Sequence, residues 1–275
     1  MRIESTEYEY SKRYLLEISY DGTAYGGWQI QPHCMTVQQV LQERLTKLFN
    51  KQPIHVIGSS RTDAGVHALG FMASFLVPVR PEIPIERLFK ALNRQLPPDI
   101  KIISIKEVPL EFHTRYDAIG KAYTYVINQG NETPFLDRYT WKPIRKLDVE
   151  KIRKAAAMLI GTHDYSSFVV QRNNIDDAIR TIFKIDVQEF GPLCCITFVG
   201  NGFLYKMIRC LMGTLEAAGA GILTPEDVRN ILLAKDRTQA PDTAPGKGLF
   251  LMKVFYDESE NIFNWQLPNV PFWMS

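Results

Sequence analysis

Apolar and polar positions along the first 110 residues follow an order that predicts six elements. Alternation predicts a strand at 14–20, which ends at the turn signal Asp21-Gly22. A helix is predicted from the N-cap Thr36 to about Asn50, because its apolar positions fall on one helical stripe. The other elements are strands at 55–58 and 71–77, a helix from Pro84 to Pro97-Pro98, and a strand at 100–108. The predicted order is therefore β-α-β-β-α-β.

The second half of the chain repeats this order. The predicted elements are a strand at 121–128, a helix at 149–160 stopped by Gly161, strands at 180–190 and 193–203 around Gly191-Pro192, helices at 204–218 and from Thr224-Pro225, and a strand at 250–256. Such an order is typical of a split βαβ, ferredoxin-like unit. We predict an α+β protein with two ferredoxin-like (split βαβ) halves whose sheets are antiparallel or mixed. The predicted domains are 1–110 and 111–260, with a tail at 261–275.

Composition narrows the class of protein. Apolar residues make up 45% and charged residues 23% of the 275 positions, which is ordinary for a globular protein. None of the four cysteines is in C-x-x-C spacing and the histidines lack H-E-x-x-H spacing, so we expect no metal site and no disulfide framework. The apolar run Phe190 to Tyr205, which has no charged residue, is too short to cross a membrane and is interrupted by Gly and Pro. We expect a soluble, cytoplasmic protein with no membrane partner.

Charge gives only a weak indication of a partner. The net charge is +2, and three acidic residues with no basic ones follow Lys253, which leaves +5 on residues 1–253. This distribution is consistent with a local basic face that binds nucleic acid, and equally with an ordinary solvated surface.

The segment Gly58-Ser-Ser-Arg-Thr-Asp-Ala-Gly-Val-His67 is a dense polar run between two predicted strands. It fits neither the P-loop nor the nucleophile-elbow pattern. It places one carboxylate, Asp63, beside Arg61, and a carboxylate can attack a sugar carbon or act as a general base. The alternative is a hairpin turn in which Asp63 bonds to its own backbone.

Arg209 lies on a predicted helix that is apolar nearly all round. A buried guanidinium needs a partner, because leaving it unpaired is costly. Asp63 is a candidate partner; the alternatives are that Arg209 reaches the surface or pairs with Glu216.

Two aromatic segments suit RNA. Tyr123 and Tyr125 are two residues apart on a predicted strand and share a face, where they would either stack on bases or pack into the core. The irregular segment Phe112-His-Thr-Arg-Tyr116 mixes aromatic and basic side chains, which suits stacking and phosphate contacts but also occurs on ordinary surfaces.

Seven blocks, in order over about residues 13–256, resemble the TruA-type tRNA pseudouridine synthases. They are Tyr20-Asp-Gly-Thr-Ala-Tyr-Gly-Gly-Trp-Gln29, Ser60-Arg-Thr-Asp-Ala-Gly-Val-His-Ala68, Phe112-His-Thr-Arg-Tyr116, Lys121-Ala-Tyr-Thr-Tyr125, Gly161-Thr-His-Asp-Tyr-Ser-Ser-Phe168, Asn201-Gly-Phe-Leu-Tyr-Lys-Met-Ile-Arg209 and Ala244-Pro-Gly-Lys-Gly-Leu249. The chain departs from the family at Ser60, where many members have Gly, and at Cys210, where Asn is usual. Neither change removes a catalytic group.

The resemblance implies a pseudouridine synthase fold and a role for each matching residue. Asp63 is implied to be the catalytic nucleophile, Arg61 to help hold the place of the flipped-out nucleotide, and Arg209 to pair with the aspartate. Tyr123 is implied to stack on the target uracil. The residues implied to contact tRNA are Phe112, His113, Thr114, Arg115 and Tyr116, together with a weaker match around Arg172 to Asp176.

The implied reaction is isomerisation of uridine to pseudouridine at positions 38, 39 and 40 in the anticodon stem-loop of tRNA. The family works without a cofactor or metal, as a homodimer with one tRNA lying across both subunits. Two other interpretations stay open from the residues. One is a non-catalytic RNA-binding protein with Tyr123 and Tyr125 as a stacking platform; the other is an enzyme on the same scaffold that modifies a uridine in another RNA.

Overall fold

The computed structural model describes residues 10–170 and 177–268. The chain divides into two compact units, Met1–Ala118 and Ile119–Ser275. The finer predicted limits, with domains at 1–110 and 111–260 and a tail at 261–275, stay predictions. In the described ranges, none of the helices combines the length and the hydropathy needed to cross a lipid bilayer. Among the same residues, no group of three or more His, Cys, Asp and Glu side chains is placed to bind a metal ion.

The first unit is a split βαβ sheet with two helices. Its elements are β1 (Tyr10–Tyr20), α1 (Val37–Leu48), β2 (Val56–Gly58), β3 (His67–Pro78), α2 (Ile85–Gln95) and β4 (Ile100–Val108). The strands lie in the order β4-β1-β3-β2, and each neighbouring pair is antiparallel. This confirms the predicted order β-α-β-β-α-β.

The ends and buried faces of these two helices follow from local sequence. Thr36 caps α1 by accepting a hydrogen bond from the Gln39 N–H at 3.4 Å, and an apolar stripe from Val37 to Leu45 is buried. Pro84 precedes α2, which buries Leu88 and Leu92. The two helices thus supply apolar faces of the kind that cover a sheet.

The second unit repeats the same sheet order and adds an edge strand. Its elements are β5 (Gly120–Asn128), α3 (Pro134–Asp137), α4 (Val149–Ala157), β6 (Gly161–Asp164), β7 (Ile179–Phe190), β8 (Leu193–Gly200), α5 (Met207–Gly219), α6 (Pro225–Ala234) and β9 (Leu249–Phe255). The order is β9-β5-β8-β7-β6, again with antiparallel neighbours. If β6 is left out, the order is the same as in the first unit: β9, β5, β8 and β7 correspond to β4, β1, β3 and β2. The predicted α+β class with two split βαβ units is confirmed.

Three local predictions in the second unit were wrong. β6 lies between the predicted helix at 149–160 and the predicted strand at 180–190, where no strand was predicted; its polar residues carry no alternation, and it exists because it pairs with the edge of β7. The strand predicted at 193–203 ends at Gly200. The helix predicted from Leu204 begins at Met207, because Lys206 has a left-handed backbone with φ +57° that cannot continue a helix.

Candidate active site

The loop between β2 and β3 carries Asp63. β2 ends with Gly58 paired to Ala73, and the Ser59 N–H donates to the Met72 carbonyl at 2.8 Å. Along the loop, Thr62 is buried, Arg61 is exposed and Asp63 is half-buried. Asp63 therefore directly follows Thr62, which is fixed in the interior of the first unit.

The segment Gly26 to Trp28 holds this loop from one side. The Trp28 N–H donates to the Thr62 carbonyl at 3.1 Å. Gly27 has φ +98°, and a Cβ there would lie 2.3 Å from the Thr62 carbonyl oxygen and 3.0 Å from the Asp63 carbonyl carbon. Only glycine allows so close a backbone approach. No element was predicted between the turn at Asp21-Gly22 and the N-cap Thr36, and this contact was missed; the paired glycines were the available signal.

Contacts within and after the loop hold it from its other end. The Val66 N–H donates to the Asp63 carbonyl at 3.1 Å, with Gly65 at φ +74°, so the expected turn at Asp63 is present. The Gly22 N–H donates to Nδ1 of His67 at 3.0 Å. A Cβ at Gly22 would lie 2.0 Å from the Val66 carbonyl oxygen. The block from Tyr20 to Gln29 therefore forms a support for the Asp63 loop.

The segment Phe112 to Tyr116 lies beside a different part of β3. Thr114 is buried, and its hydroxyl donates to Oγ of Ser74. Ser74 is seven residues beyond His67, where the Asp63 loop ends, which is about 23 Å along a strand at 3.3 Å per residue. Ser74 is also the cross-strand partner of Ile57 on β2, so this segment lies near the strand that leads into the Asp63 loop.

The tip of this segment is an ordered, exposed surface feature. Nδ1 of His113 accepts hydrogen bonds from the backbone N–H groups of Arg115 and Tyr116, each at 3.2 Å. The rings of His113 and Tyr116 lie 4.2 Å apart, and the Arg115 guanidinium carbon lies 5.9 Å from the Tyr116 ring centroid. Tyr116 is 75% exposed, while Phe112 is half-buried. An exposed aromatic ring beside a cation is the arrangement that RNA stacking and phosphate contacts use.

In the second unit, Tyr123 and Tyr125 lie on β5 and both have little exposure. Tyr123 is 7% exposed, and its ring meets the edge of Phe203 at 5.4 Å and 83°. Tyr125 is buried, its hydroxyl donates to the Pro245 carbonyl at 2.7 Å, and burial raises its pKa well above the ordinary value. The pair does not form an open platform on which several bases can stack, which removes the observation behind the non-catalytic RNA-binding interpretation.

Arg209 on α5 is half-buried, and it bonds to a backbone carbonyl that the sequence did not predict. Its Nε donates to the Ala244 carbonyl at 2.7 Å, and the Ala244 N–H donates back to the Arg209 carbonyl at 3.0 Å. Glu216, the alternative partner on the same helix, lies two turns further on, where burial raises its pKa against a smaller opposing effect of Arg145. The predicted pairing of Arg209 with Asp63 stays a prediction.

The block Gly161 to Phe168 joins β6 to α6. Asp164 accepts hydrogen bonds from the Ser166 N–H and hydroxyl, and lies 3.2 Å from Nζ of Lys235. The Ser167 hydroxyl donates to the Ile231 carbonyl at 2.6 Å. These contacts give the block a structural role. The weaker predicted tRNA segment, Arg172 to Asp176, lies outside the described residues.

Comparisons with known proteins agree with the fold and with the order of blocks. A family model described as tRNA pseudouridine synthase matches residues 18–117 and 155–257. A protein of Lacticaseibacillus casei (strain BL23) named tRNA pseudouridine synthase A is 44% identical over 247 residues, which cover 88% of this chain and 99% of that one. Its namesake in Exiguobacterium sibiricum is 43% identical over 249 residues, or 90% and 98% of the two chains.

These matches and the two split βαβ units together define an isomerase with a pseudouridine synthase fold. The chain belongs to the tRNA pseudouridine synthase family. Among solved structures, an archaeal box H/ACA sRNP Nop10–Cbf5 complex is 12% identical and matches 82% of this chain and 59% of that one, with a TM-score of 0.32.

Proposed function

We propose that this enzyme isomerises uridine to pseudouridine in the anticodon stem-loop of tRNA, at positions 38, 39 and 40, with Asp63 as the nucleophile. The observation that carries the proposal is the placement of Asp63: a half-buried carboxylate on a loop held at Thr62 and at Val66. Relatives 41–44% identical over most of the chain carry the name tRNA pseudouridine synthase A. Both support a reaction in which a positioned carboxylate acts on a nucleotide.

The chemistry begins when the target uridine leaves the base stack, at a cost of a few kcal/mol. Exposed Arg61 then holds the place of the flipped nucleotide. Asp63, whose charge Arg209 balances, acts as the nucleophile at the sugar C1′, and the N-glycosidic bond breaks with its electron pair left on N1 of the uracil. The uracil turns, and its C5 atom bonds to C1′ as the carboxylate of Asp63 leaves that carbon; the proton on C5 is then lost and N1 takes up a proton. Nothing is oxidised or reduced, so the reaction requires no redox cofactor.

Tyr123 stacks on the uracil while the glycosidic bond is broken. Because Phe203 already covers the ring edge-on, the uracil has access to a restricted part of Tyr123. The stacked uracil can then turn without leaving the site, and the stacked rings keep water away from the sugar C1′.

Substrate binding extends beyond the reacting nucleotide. The exposed side chains of Arg115 and Tyr116 supply a cation and an aromatic face to tRNA, and His113 fixes the turn that presents them. Phe112 and Thr114 connect this turn to the body of the first unit. We further propose a cytoplasmic homodimer with one tRNA across both subunits, which doubles the modest positive charge that faces the RNA.

Release of tritium from tRNA transcribed with 5-tritiated uridine tests the reaction. We expect release by the wild type and none by Asp63→Ala or Asp63→Asn, both of which still bind tRNA in a filter assay. Transcripts with cytidine at position 38, 39 or 40 assign the target uridines. Turnover near wild type in both variants would overturn the nucleophile. Stem-loops that bind the wild type without releasing tritium would restore the RNA-binding interpretation.

A further inference from the structure

The hydroxyl groups of Tyr20 and Thr62 form a buried pair directly before the proposed nucleophile. The two oxygens lie 2.9 Å apart, and both residues are buried. Tyr20 is the last residue of β1, where it pairs with Ala68 of β3 and Ile100 of β4. One end of this hydrogen bond is therefore fixed in the middle of a sheet, and the other end is one peptide away from Asp63.

Thr62 is held by its backbone and by its side chain at once. Its carbonyl accepts from the Trp28 N–H, on the side where Gly27 comes closest. Its hydroxyl meets Tyr20 on another side. The Tyr20 ring packs 5.7 Å from Phe71, which in turn stacks on Trp28 at 4.0 Å. The hydrogen bond thus connects the loop to an aromatic cluster that cannot shift easily.

We propose that Tyr20 and Thr62 are positioning residues that set the place and direction of the Asp63 carboxylate. This inference rests on the proposed role of Asp63 as nucleophile. Through their hydrogen bond they act on the backbone that joins Thr62 to Asp63. A displacement of about 1 Å at a reacting group can cost 10²-fold in rate. Loss of the buried hydrogen bond at Thr62, the residue before Asp63, is therefore expected to reduce turnover more than substrate binding.

The test compares single-turnover rate, multiple-turnover kcat and KM for tRNA in a small set of full-length variants. Thr62→Val and Tyr20→Phe each remove one hydroxyl with little change of shape. We expect each to lower kcat by about tenfold with KM within about twofold of the wild type. Thr62→Ser keeps the hydroxyl and should retain most of the rate. Because both hydroxyls serve one bond, the double variant should be no slower than the worse single variant.

Two controls separate positioning from a loss of stability. Tyr14→Phe changes another buried tyrosine of β1 and should leave kcat unchanged. Urea unfolding of every variant shows which are folded under assay conditions, and Tyr20→Phe carries the test should Thr62→Val not fold. Wild-type kcat in a folded Thr62→Val or Tyr20→Phe, or additive losses in the double variant, would overturn the inference. Activity in Asp63→Ala would instead overturn the proposed function.

Discussion

Arg209 and Ala244 exchange two hydrogen bonds, one from the Arg209 Nε to the Ala244 carbonyl and one from the Ala244 N–H to the Arg209 carbonyl. The first fixes the plane of the guanidinium, because Nε is part of that plane. The second joins α5 to the segment before β9. Arg209 therefore has a structural role beside its proposed electrostatic role, and substitution is expected to affect both.

Arg209→Met should lose nearly all isomerase activity, by about 10²-fold or more, because the proposed counter-charge to Asp63 is removed. Arg209→Lys keeps the charge but has no Nε, so it should lose part of the rate. Both should lower the free energy of unfolding by about 1–3 kcal/mol. Tritium release and urea unfolding measure the two effects separately. Arg145→Met, an exposed arginine facing Glu216, is the control. A wild-type rate in Arg209→Met would contradict the pairing.

Gly27→Ala and Gly191→Ala form a matched pair. Both glycines have positive φ, at +98° and +60°, but a Cβ at Gly191 meets nothing within 4 Å, whereas one at Gly27 strikes the Thr62 carbonyl. Gly191→Ala should therefore cost about 1–2 kcal/mol of backbone strain and no activity. Gly27→Ala should cost more and reduce turnover, since the Asp63 loop must move. Equal activities in the two folded variants would show that the loop position does not control the rate.

Tyr123→Leu should impair turnover more than tRNA affinity. A stacked base contributes about 1–3 kcal/mol, which corresponds to a fall of about 5-fold to 150-fold in the rate if stacking acts during the reaction. Tyr123→Phe keeps the ring and should remain close to wild type. Fluorescence anisotropy gives the affinity, and tritium release at saturating enzyme gives the rate. Equal losses of rate and affinity in Tyr123→Leu would assign the ring to binding alone.

The strand order and the place of the Asp63 loop between two strands were predictable because their signals are local. Alternation along 14–20 or 100–108 and the helical stripe after Thr36 arise within each element, so no tertiary contact is needed to read them. The paired glycines at 26 and 27 mark a close backbone approach, but the partner of Gly27 was not predictable, because the contact joins segments about 35 residues apart through backbone atoms. The hydrogen bond from Arg209 to Ala244 was missed for a related reason. Its acceptor is a backbone carbonyl, which every residue has, so the side chain of residue 244 does not indicate the contact.

Asp164 should stabilise the protein in a pH-dependent manner without serving catalysis. Burial alone would raise its pKa, but hydrogen bonds from Ser166 and the nearby Lys235 lower it below the ordinary value. A carboxyl whose pKa is lowered by folding contributes stability above its unfolded pKa of about 3.9, and the contribution is lost as the pH falls through the lower folded pKa. Asp164→Asn should therefore cost about 1 kcal/mol at pH 7 and progressively less below pH 4.

Urea unfolding of Asp164→Asn and the wild type across this pH range measures the difference. Glu226→Gln, in an exposed pair with Arg229, should change stability by less than about 0.5 kcal/mol at any pH. Isomerase activity of folded Asp164→Asn should match the wild type. A constant stability difference from pH 7 to pH 3 would show that the charge of Asp164 is not what stabilises β6 against α6.

Residues 257–264 pack on the second unit through Ile262. Ile262 is 7% exposed, and a Cβ at Gly120 would lie 2.0 Å from its Cδ1 atom. Phe263 contacts Phe183 at 5.1 Å but is 63% exposed. Ile262→Ala should therefore lower the free energy of unfolding by about 2–4 kcal/mol, and Phe263→Ala by less.

Gly120→Ala tests the same contact from the strand. It should be destabilising because the new methyl group displaces Ile262, and the double variant Gly120→Ala, Ile262→Ala should cost less than the sum of the two single changes, since the shortened side chain makes room. Urea unfolding of the four proteins completes the cycle. Strict additivity would mean that Ile262 does not rest on Gly120 in solution, and that the segment after β9 packs elsewhere.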